Sequence, residues 1–424
     1  MLLSYKREGM RVKRVYLKTF GCRTNIYDSS VMAQNLKDFI LVDSEDKADI
    51  VVVNSCTVTN SADTSARSYI NRLNRQNKKV ILAGCGAVSK GESLFQDEKI
   101  FGYFGHSEKK NINELLLRTE RFSEIGDLTS LDDAIVEDFS SKTKAFIKIQ
   151  EGCDFRCSYC IIPFVRGDAR SQDEEKILAQ IKNLASNGFG EFVLTGTNLG
   201  SYGKDKASSL ATLLKRISKI SGVKRIRLGS IEPVQIDDAF KELLDEPWLE
   251  KHLHIALQHT SEAMLRLMRR RSFLKDDRAL FEHIASKGFS LGTDFITGHP
   301  GESEALWQEA LENFKTFPIT HLHGFTYSKR DGTHAATLKE QVSGALAKER
   351  LKILEHIVQK NNYHFRRAQQ VPLLVLVEER KEGYQSGYDQ FYNKVLIKSD
   401  LDLQKEWVVI DKFEVTEEGN FASL

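Results

Sequence analysis

Gln150–Pro163 reads QEGCDFRCSYCIIP and places Cys153, Cys157 and Cys160 in a CxxxCxxC spacing. A β-like run, Lys144–Ile149 (KAFIKI), leads into it. The gaps are short enough for three thiolates on one loop to reach a single metal centre. Thiolates are soft ligands that suit iron–sulfur clusters or zinc. Most clusters take four cysteines, so three leave one iron open to a substrate or cofactor. A zinc knuckle with a distant fourth ligand, or three unconnected thiols, satisfies the same spacing.

The surrounding chain sets the frame. Its 424 residues are enough for two or three domains, and 41% hydrophobic residues is ordinary for a globular protein. No apolar run is long enough to span a membrane, and MLLSYKREGMRVKRVY lacks the apolar core of a secretory signal. Six cysteines in such a chain do not suggest a disulfide scaffold; a cytoplasmic, reducing setting is expected, with no membrane partner. Lys and Arg total 61 against 59 Asp and Glu, so any nucleic-acid footprint has to be local.

Upstream, residues 10–130 alternate strand-like and helix-like stretches. Val15–Phe20, Ala48–Val53 and Lys79–Ala83 read as strands, with helices over Ser29–Ile40 and Thr59–Asn77. This repetition predicts an α/β domain with a parallel sheet. Each strand runs into a cysteine: Cys22, Cys56 and Cys85. Parallel strands carry such residues to one sheet edge, where ligands of open α/β sheets bind. Pooled there, the three make a second thiolate site, and Gly21, Gly84 and Gly86 let backbone approach a bulky group. Three ordinary buried cysteines are the alternative. Glu120–Thr143 is polar and acidic and reads as a crossing between domains.

Downstream, residues 140–369 contain about six β/α units. Strands are expected at Glu191–Thr195, Arg225–Leu228, His254–Leu257, Ser290–Ile296 and His321–Tyr327. Helices fall at Asp173–Asn187, Ser208–Ile220, Ser261–Arg270, Leu280–Lys287 and Glu304–Phe314. Six units predict a partial (β/α)6 barrel, with its site at the carboxyl ends of the strands. Arg266, Arg269, Arg270 and Arg271 form a basic helix end, read either as a solvated face or as a phosphate contact. Residues 370–424 change to short β-like runs separated by turns, which predicts a small antiparallel β-barrel. Its 11 acidic residues against six basic ones (counted over 371–424) do not favour simple phosphate attraction.

The whole layout resembles the radical S-adenosylmethionine (SAM) methylthiotransferase family, whose last domain is called TRAM. GCRTN at Gly21–Asn25, NSCTVTNSADTSAR at Asn54–Arg67 and YSKRDGTHAA at Tyr327–Ala336 are most similar to the branch that modifies threonylcarbamoyladenosine in tRNA. His299 and His334 stand where that family carries an aromatic residue and a proline, and LQHTS at Leu257–Ser261 is nearer the ribosomal-protein-modifying branch.

The resemblance implies two 4Fe–4S clusters, one on Cys153, Cys157 and Cys160 and an auxiliary one on Cys22, Cys56 and Cys85. It implies SAM held near Thr195, Thr197, Asn198, Ser230, Glu232, Phe295 and Gly298. It implies insertion of a methylthio group at carbon 2 of the adenine in a tRNA anticodon loop. It also implies an electron donor such as a flavodoxin or ferredoxin, and a monomer. Arg366 and Arg367 join the basic helix end as candidate RNA contacts. Isopentenyladenosine in tRNA, or a ribosomal-protein aspartate, is the alternative substrate within the family. A non-catalytic, zinc-stabilised RNA-binding protein is the alternative from another class.

Overall fold

Residues 11–58, 60–131, 136, 142–271, 273–381 and 383–424 are described by a computed structural model of the chain. The opening residues 1–10, much of the acidic crossing (132–135 and 137–141), Thr59 of the expected second helix and Glu382 of an expected turn lie outside the described residues. By its contacts the chain divides into two units. The first runs to Val136 and includes Phe164–Gly167; the second comprises Glu137–Pro163 and Asp168–Leu424.

The first unit is built on β1 (Arg14–Phe20), α1 (Arg23–Gln34), β2 (Ile40–Leu41), β3 (Ile50–Ser55), α2 (Asn60–Arg75), β4 (Lys79–Gly84), α3 (Cys85–Gln96), β5 (Gly102–Phe104), α4 (Ile112–Leu117) and β6 (Phe122–Glu124). The strand order is β2-β1-β3-β4-β5-β6, and every neighbouring pair is parallel. Strand period decides the layers. Ile50 and Val52 pack with Met32, Ile112 and Leu115 on one face, while Val51 and Val53 pack with Ile70 and Leu73 on the other. That two-sided cover explains the unbroken apolar run of β3; each such side chain contributes roughly 1.5–3 kcal/mol.

Both ends of the first helix differ from the sequence reading: it stops at Gln34, and Ile40, its expected end, opens β2. The first helix begins at Arg23 rather than Ser29, because Gly21 turns at φ +144° and Cys22 caps the helix in an extended conformation. Ser29 is no cap: its hydroxyl lies 2.6 Å from Thr19 Oγ1 and accepts from Asn54 Nδ2 at 2.9 Å.

The second unit begins with β7 (Ala145–Lys148), β8 (Gln150–Glu151), α5 (Ile162–Arg166, whose last turn belongs to the first unit), β9 (Arg170–Ser171), α6 (Glu174–Ser186), β10 (Glu191–Thr195), α7 (Leu210–Ile217) and β11 (Arg225–Leu228). It continues through α8 (Asp238–Lys241), β12 (His252–His254), α9 (Glu262–Leu267), α10 (Leu274–Ser286), β13 (Ser290–Thr297), α11 (Glu304–Lys315), β14 (Ile319–Thr326) and α12 (Gly344–Ala368). Two parallel three-stranded sheets, β11-β10-β7 and β12-β13-β14, are joined by the parallel bridges Ile226–Leu249 and Ile231–Ile255. This is the six-stranded partial barrel. Among the described strands, β7 and β14 are its edges.

The chain ends in β15 (Leu373–Lys381), β16 (Tyr384–Tyr388), β17 (Lys394–Lys398), β18 (Trp407–Ile410), β19 (Glu414–Val415) and β20 (Asn420–Ser423). The order β18-β15-β16-β17-β20-β19 forms a curled half-barrel, antiparallel except between β17 and β20. Charged side chains fasten it to the barrel. Arg225 donates to the carbonyls of Leu374 (2.9 Å) and Tyr388 (3.2 Å), Arg227 donates to that of Asp389 (3.1 Å), and both pair with buried Glu191.

Candidate active site

In the first unit, register does the positioning. Phe20 pairs with Ser55 and Ser55 with Gly84, so the residues that follow, Cys22, Cys56 and Cys85, share one end of three adjacent strands. Cys56 N donates to Phe20 O at 2.8 Å, and a Cβ on Gly21 would lie 2.7 Å from Cys56 Cβ. Burial pushes the Cys56 thiol up to about 12, and the neighbouring Cys85 and Cys22 add to that rise. Burial also raises Cys85, against the opposing pull of Arg166. Neutral thiols are what a dry pocket favours; a bound metal displaces their protons.

Arg166 was not foreseen. It is 1% exposed, donates from Nε to Cys85 Sγ at 3.0 Å, and pairs with Asp28 at 2.9 Å. Lys109, also buried, lies 3.4 Å from the same Asp28 carboxylate. The Arg166 guanidinium thus stands beside the Cys85 sulfur, with Asp28 and Lys109 in the same buried cluster. A buried cationic N–H donor to a cysteine sulfur favours the thiolate, the form that ligates a cluster. The three thiols and the donor beside them therefore fit the auxiliary cluster.

In the second unit, Cys153, Cys157 and Cys160 follow β8 on a loop pinned from below. Gln150, fully buried, donates to the carbonyls of Glu151 and Gly152 at 2.8 Å and accepts from Asn198 N at 2.8 Å. Thr197 Oγ1 donates to Gly152 O at 2.7 Å. Asn198 Nδ2 donates to Cys153 Sγ at 3.3 Å, and its Oδ1 accepts from Gln235 at 2.8 Å. Arg270 Nη1 lies 3.5 Å from Cys157 Sγ and 3.0 Å from Glu232 Oε1, and Nη2 adds a second contact to Glu232. Burial lifts Cys160 to about 12, with Cys157 adding to the rise. Again three thiols converge, with hydrogen-bond donors to their sulfurs, which fits a cluster.

His299, the departure from the family pattern, now has a role. Its Nδ1–H donates to Pro300 O at 2.8 Å, and its Nε2 accepts from Ser158 Oγ at 3.1 Å. Burial holds this imidazole neutral, down to about 4. It thus braces the cysteine loop between Cys157 and Tyr159.

The remaining sequence candidates divide. Thr195 is buried at the end of β10, and Ser230 is exposed just beyond β11. Phe295 is a correction: fully buried, its ring meets Phe314 of α11 at 5.4 Å, so it packs on the helix side of β13. Gly298 has φ +77°, and a Cβ there would lie 2.5 Å from Ala347 Cβ, so it serves the close approach of α12. Arg270 and Arg366 are also corrections to the expected RNA face. Arg270 is spent on Glu232, and Arg366 is 3% exposed, donating to Asn362 at 2.7 Å and Asn420 at 3.3 Å. Arg266, Arg269, Arg271 and Arg367 are exposed. Arg266 lies 3.4 Å from Glu262, and Arg271 covers the Phe155 ring at 4.4 Å.

Comparisons with known proteins match both units of the chain. The Radical SAM superfamily model matches residues 147–314, and the model described as "Uncharacterized protein family UPF0004" matches residues 14–105. Among solved structures, a radical S-adenosylmethionine methyltransferase, TsrM from Kitasatospora setae, superposes with a TM-score of 0.59 at 15% identity, covering 77% of each chain. That likeness supports the fold alone, and the fold is that of a radical SAM barrel with an α/β domain before it.

A Helicobacter pylori (strain J99) protein is 50% identical over 97% of this chain and 100% of its own length; its provisional name stops at methylthiotransferase. Threonylcarbamoyladenosine tRNA methylthiotransferase MtaB of Aquifex aeolicus is 36% identical over 87% of this chain and 94% of its own, and its Bacillus subtilis namesake 34% over 92% and 91%. The chain belongs to the radical SAM methylthiotransferase family. It is a transferase, and like its family it uses SAM and 4Fe–4S clusters. Among the described residues, no helix is long and apolar enough to cross a membrane.

Proposed function

We propose that the protein transfers a methylthio group to carbon 2 of threonylcarbamoyladenosine in the anticodon loop of tRNA. The observation that carries this reading is its 33–36% identity, over most of the chain, to relatives named for that reaction in Aquifex aeolicus, Bacillus subtilis and Thermotoga maritima. A relative in Alkalilimnicola ehrlichii named tRNA-2-methylthio-N(6)-dimethylallyladenosine synthase is 32% identical over 82% of the chain, which keeps the isopentenyl-type base as the alternative substrate.

On this reading Cys153, Cys157 and Cys160 hold one 4Fe–4S cluster, and Cys22, Cys56 and Cys85 the other. When bound, the clusters and SAM supply one-electron chemistry at an aromatic C–H bond that resists acid–base attack, together with the methylated sulfur. The chain's own residues provide placement. Gln150, Thr197 and Asn198 fix the cysteine loop on the strand ends of the barrel. Arg270 sets a positive charge beside Cys157 and is itself held by Glu232. Thr195, Thr197, Asn198 and Ser230 line the same strand ends and are our candidates for SAM contacts. Exposed Arg271 and Arg367, with Arg266 and Arg269, are the candidate phosphate contacts. Unpaired loop bases are read by shape and edge, which places little demand on bulk charge.

Nucleoside mass spectrometry of bulk tRNA from a strain lacking the gene tests the reading. Loss of 2-methylthio-threonylcarbamoyladenosine, reversed by the intact gene, is the expected result. Loss of the isopentenyl-type nucleoside instead selects the alternative, and an unchanged nucleoside profile rejects both.

A further inference from the structure

The barrel holds a polar group that the reading above does not use. His252 and His254 on β12 and His321 and His323 on β14 alternate along their strands, so each pair faces one side of its strand. Asp294 on β13 sits between the two strands, paired in register with His323. The two lower imidazoles meet hydroxyls: His252 Nδ1 is 2.8 Å from Ser290 Oγ, and His321 Nδ1 is 3.0 Å from Thr320 Oγ1. The upper two converge on one carboxylate oxygen. His254 Nε2 lies 3.1 Å and His323 Nδ1 3.5 Å from Asp294 Oδ1.

We infer that His254, Asp294 and His323 form a binding site for one divalent transition-metal ion of the zinc class, separate from the six cysteines. Three arguments carry this. One ligand atom from each residue lies within 4.8 Å of the others, and the two imidazole nitrogens are 3.1 and 3.5 Å from Asp294 Oδ1, so a point equidistant from all three is at most about 2.4 Å away and a small inward shift brings it to the roughly 2.0–2.2 Å of a metal–ligand bond. Two imidazoles and one carboxylate are borderline donors that suit zinc and its first-row neighbours; calcium and magnesium demand more oxygens. Finally, the space is cut for the imidazoles. A Cβ on Gly292 would lie 2.5 Å from His254 Nδ1 and 3.1 Å from His252 Cε1, and Gly292 has no positive φ to account for it otherwise.

The site is also reachable. The side chains of His254 and Asp294 are 7% and 14% exposed, whereas that of His323 is 55% exposed, so a fourth position opens toward solvent. Bound there, an ion ties the edge strand β14 to β12 across β13.

The test uses the cluster-loaded protein, prepared without oxygen, exposed to zinc sulfate and passed through a desalting column. One zinc per chain is expected beyond an unchanged iron content. The zinc X-ray absorption spectrum should fit nitrogen and oxygen at about 2.0–2.1 Å with no sulfur at about 2.3 Å. His323→Ala, at an exposed position, and Asp294→Asn should each weaken zinc binding at least tenfold while iron content and circular dichroism stay as in the parent. No retained zinc, a sulfur shell, or zinc binding indifferent to His323→Ala would each overturn the assignment.

Discussion

Arg166 Nε lies 3.0 Å from Cys85 Sγ, with both residues in the first unit although Arg166 follows Cys160 by only six positions in the chain. The guanidinium is buried and anchored by Asp28, so its charge acts on the sulfur through protein rather than water. A positive charge beside a cluster favours the reduced, more negative state. Arg166→Gln should move the reduction midpoint of the auxiliary cluster to lower potential, with Arg166→Lys in between. Redox titration followed by electron paramagnetic resonance reads this directly; identical midpoints in all three proteins would contradict the role.

The two cysteine triads should load independently. Replacing Cys22, Cys56 and Cys85 together by alanine should lower iron from about eight to about four per chain and leave reductive cleavage of SAM intact. Replacing Cys153, Cys157 and Cys160 should abolish that cleavage. Iron analysis and assay of 5′-deoxyadenosine separate the outcomes.

Glu232 is expected to matter through Arg270. Glu232→Gln leaves a buried guanidinium half-compensated beside Cys157, a change of about 3 kcal/mol in folding stability. The thermal midpoint should fall, and iron retained on the second-unit cysteines should fall with it. Glu232→Gln with full iron and parental stability but weaker SAM binding would instead assign this carboxylate to the cofactor.

His299 makes stability depend on pH in a defined direction. Its folded value of about 4 lies below the ordinary 6.5, so the unfolded chain binds the proton more readily. Stability is therefore full above pH 6.5 and declines as pH falls toward 4. Between pH 7.5 and 5.5 this one group should remove about 1.4 kcal/mol. In His299→Phe the loss over that interval should be smaller by that amount in urea denaturation; an unchanged loss would remove His299 as its source.

Exposed and buried arginines should part ways on RNA. Arg271→Glu and Arg367→Glu should each weaken tRNA binding and reduce the salt dependence by roughly one phosphate contact. Arg366→Glu should lower stability instead, because its partners Asn362 and Asn420 are internal. Filter binding at several salt concentrations distinguishes the two.

How much of this was legible follows from particular residues. The parallel sheet, the six-strand count of the barrel and the strand-end places of Cys22, Cys56 and Cys85 were visible because strand period and strand-end position are local properties of the chain, although the strand expected at His254–Leu257 lies earlier, at His252–His254. The helix expected from Ser29 begins at Arg23 because the Gly21–Cys22 turn sets its start, and the Ser29 hydroxyl is committed to Thr19 and Asn54 across the fold. Helix α12 was overlooked, although Ala347, Arg350, Leu354 and Val358 bury one face at helical spacing. Arg166, Gln150 and the Arg270–Glu232 pair carry no sequence signal of their own. Their roles depend on partners 81, 48 and 38 residues away, which only the folded chain supplies. Phe295 was misplaced because a one-residue alternation sends neighbours to opposite faces of β13, and Asp294, not Phe295, faces His254.

The strand register that gathers Cys22, Cys56 and Cys85 carries a hazard for the empty protein. Neighbouring strands run about 4.8 Å apart, and crosslinked cysteines have Cα atoms about 4.4–6.8 Å apart. Cys56 and Cys85, each one step past the paired residues Ser55 and Gly84, thus sit at a strand spacing that a disulfide can bridge, and burial, by keeping both thiols protonated, is what slows that bond. A crosslink there would bar iron until a thiol reductant reopened it, so iron uptake by air-exposed protein with and without dithiothreitol reads whether the bond forms.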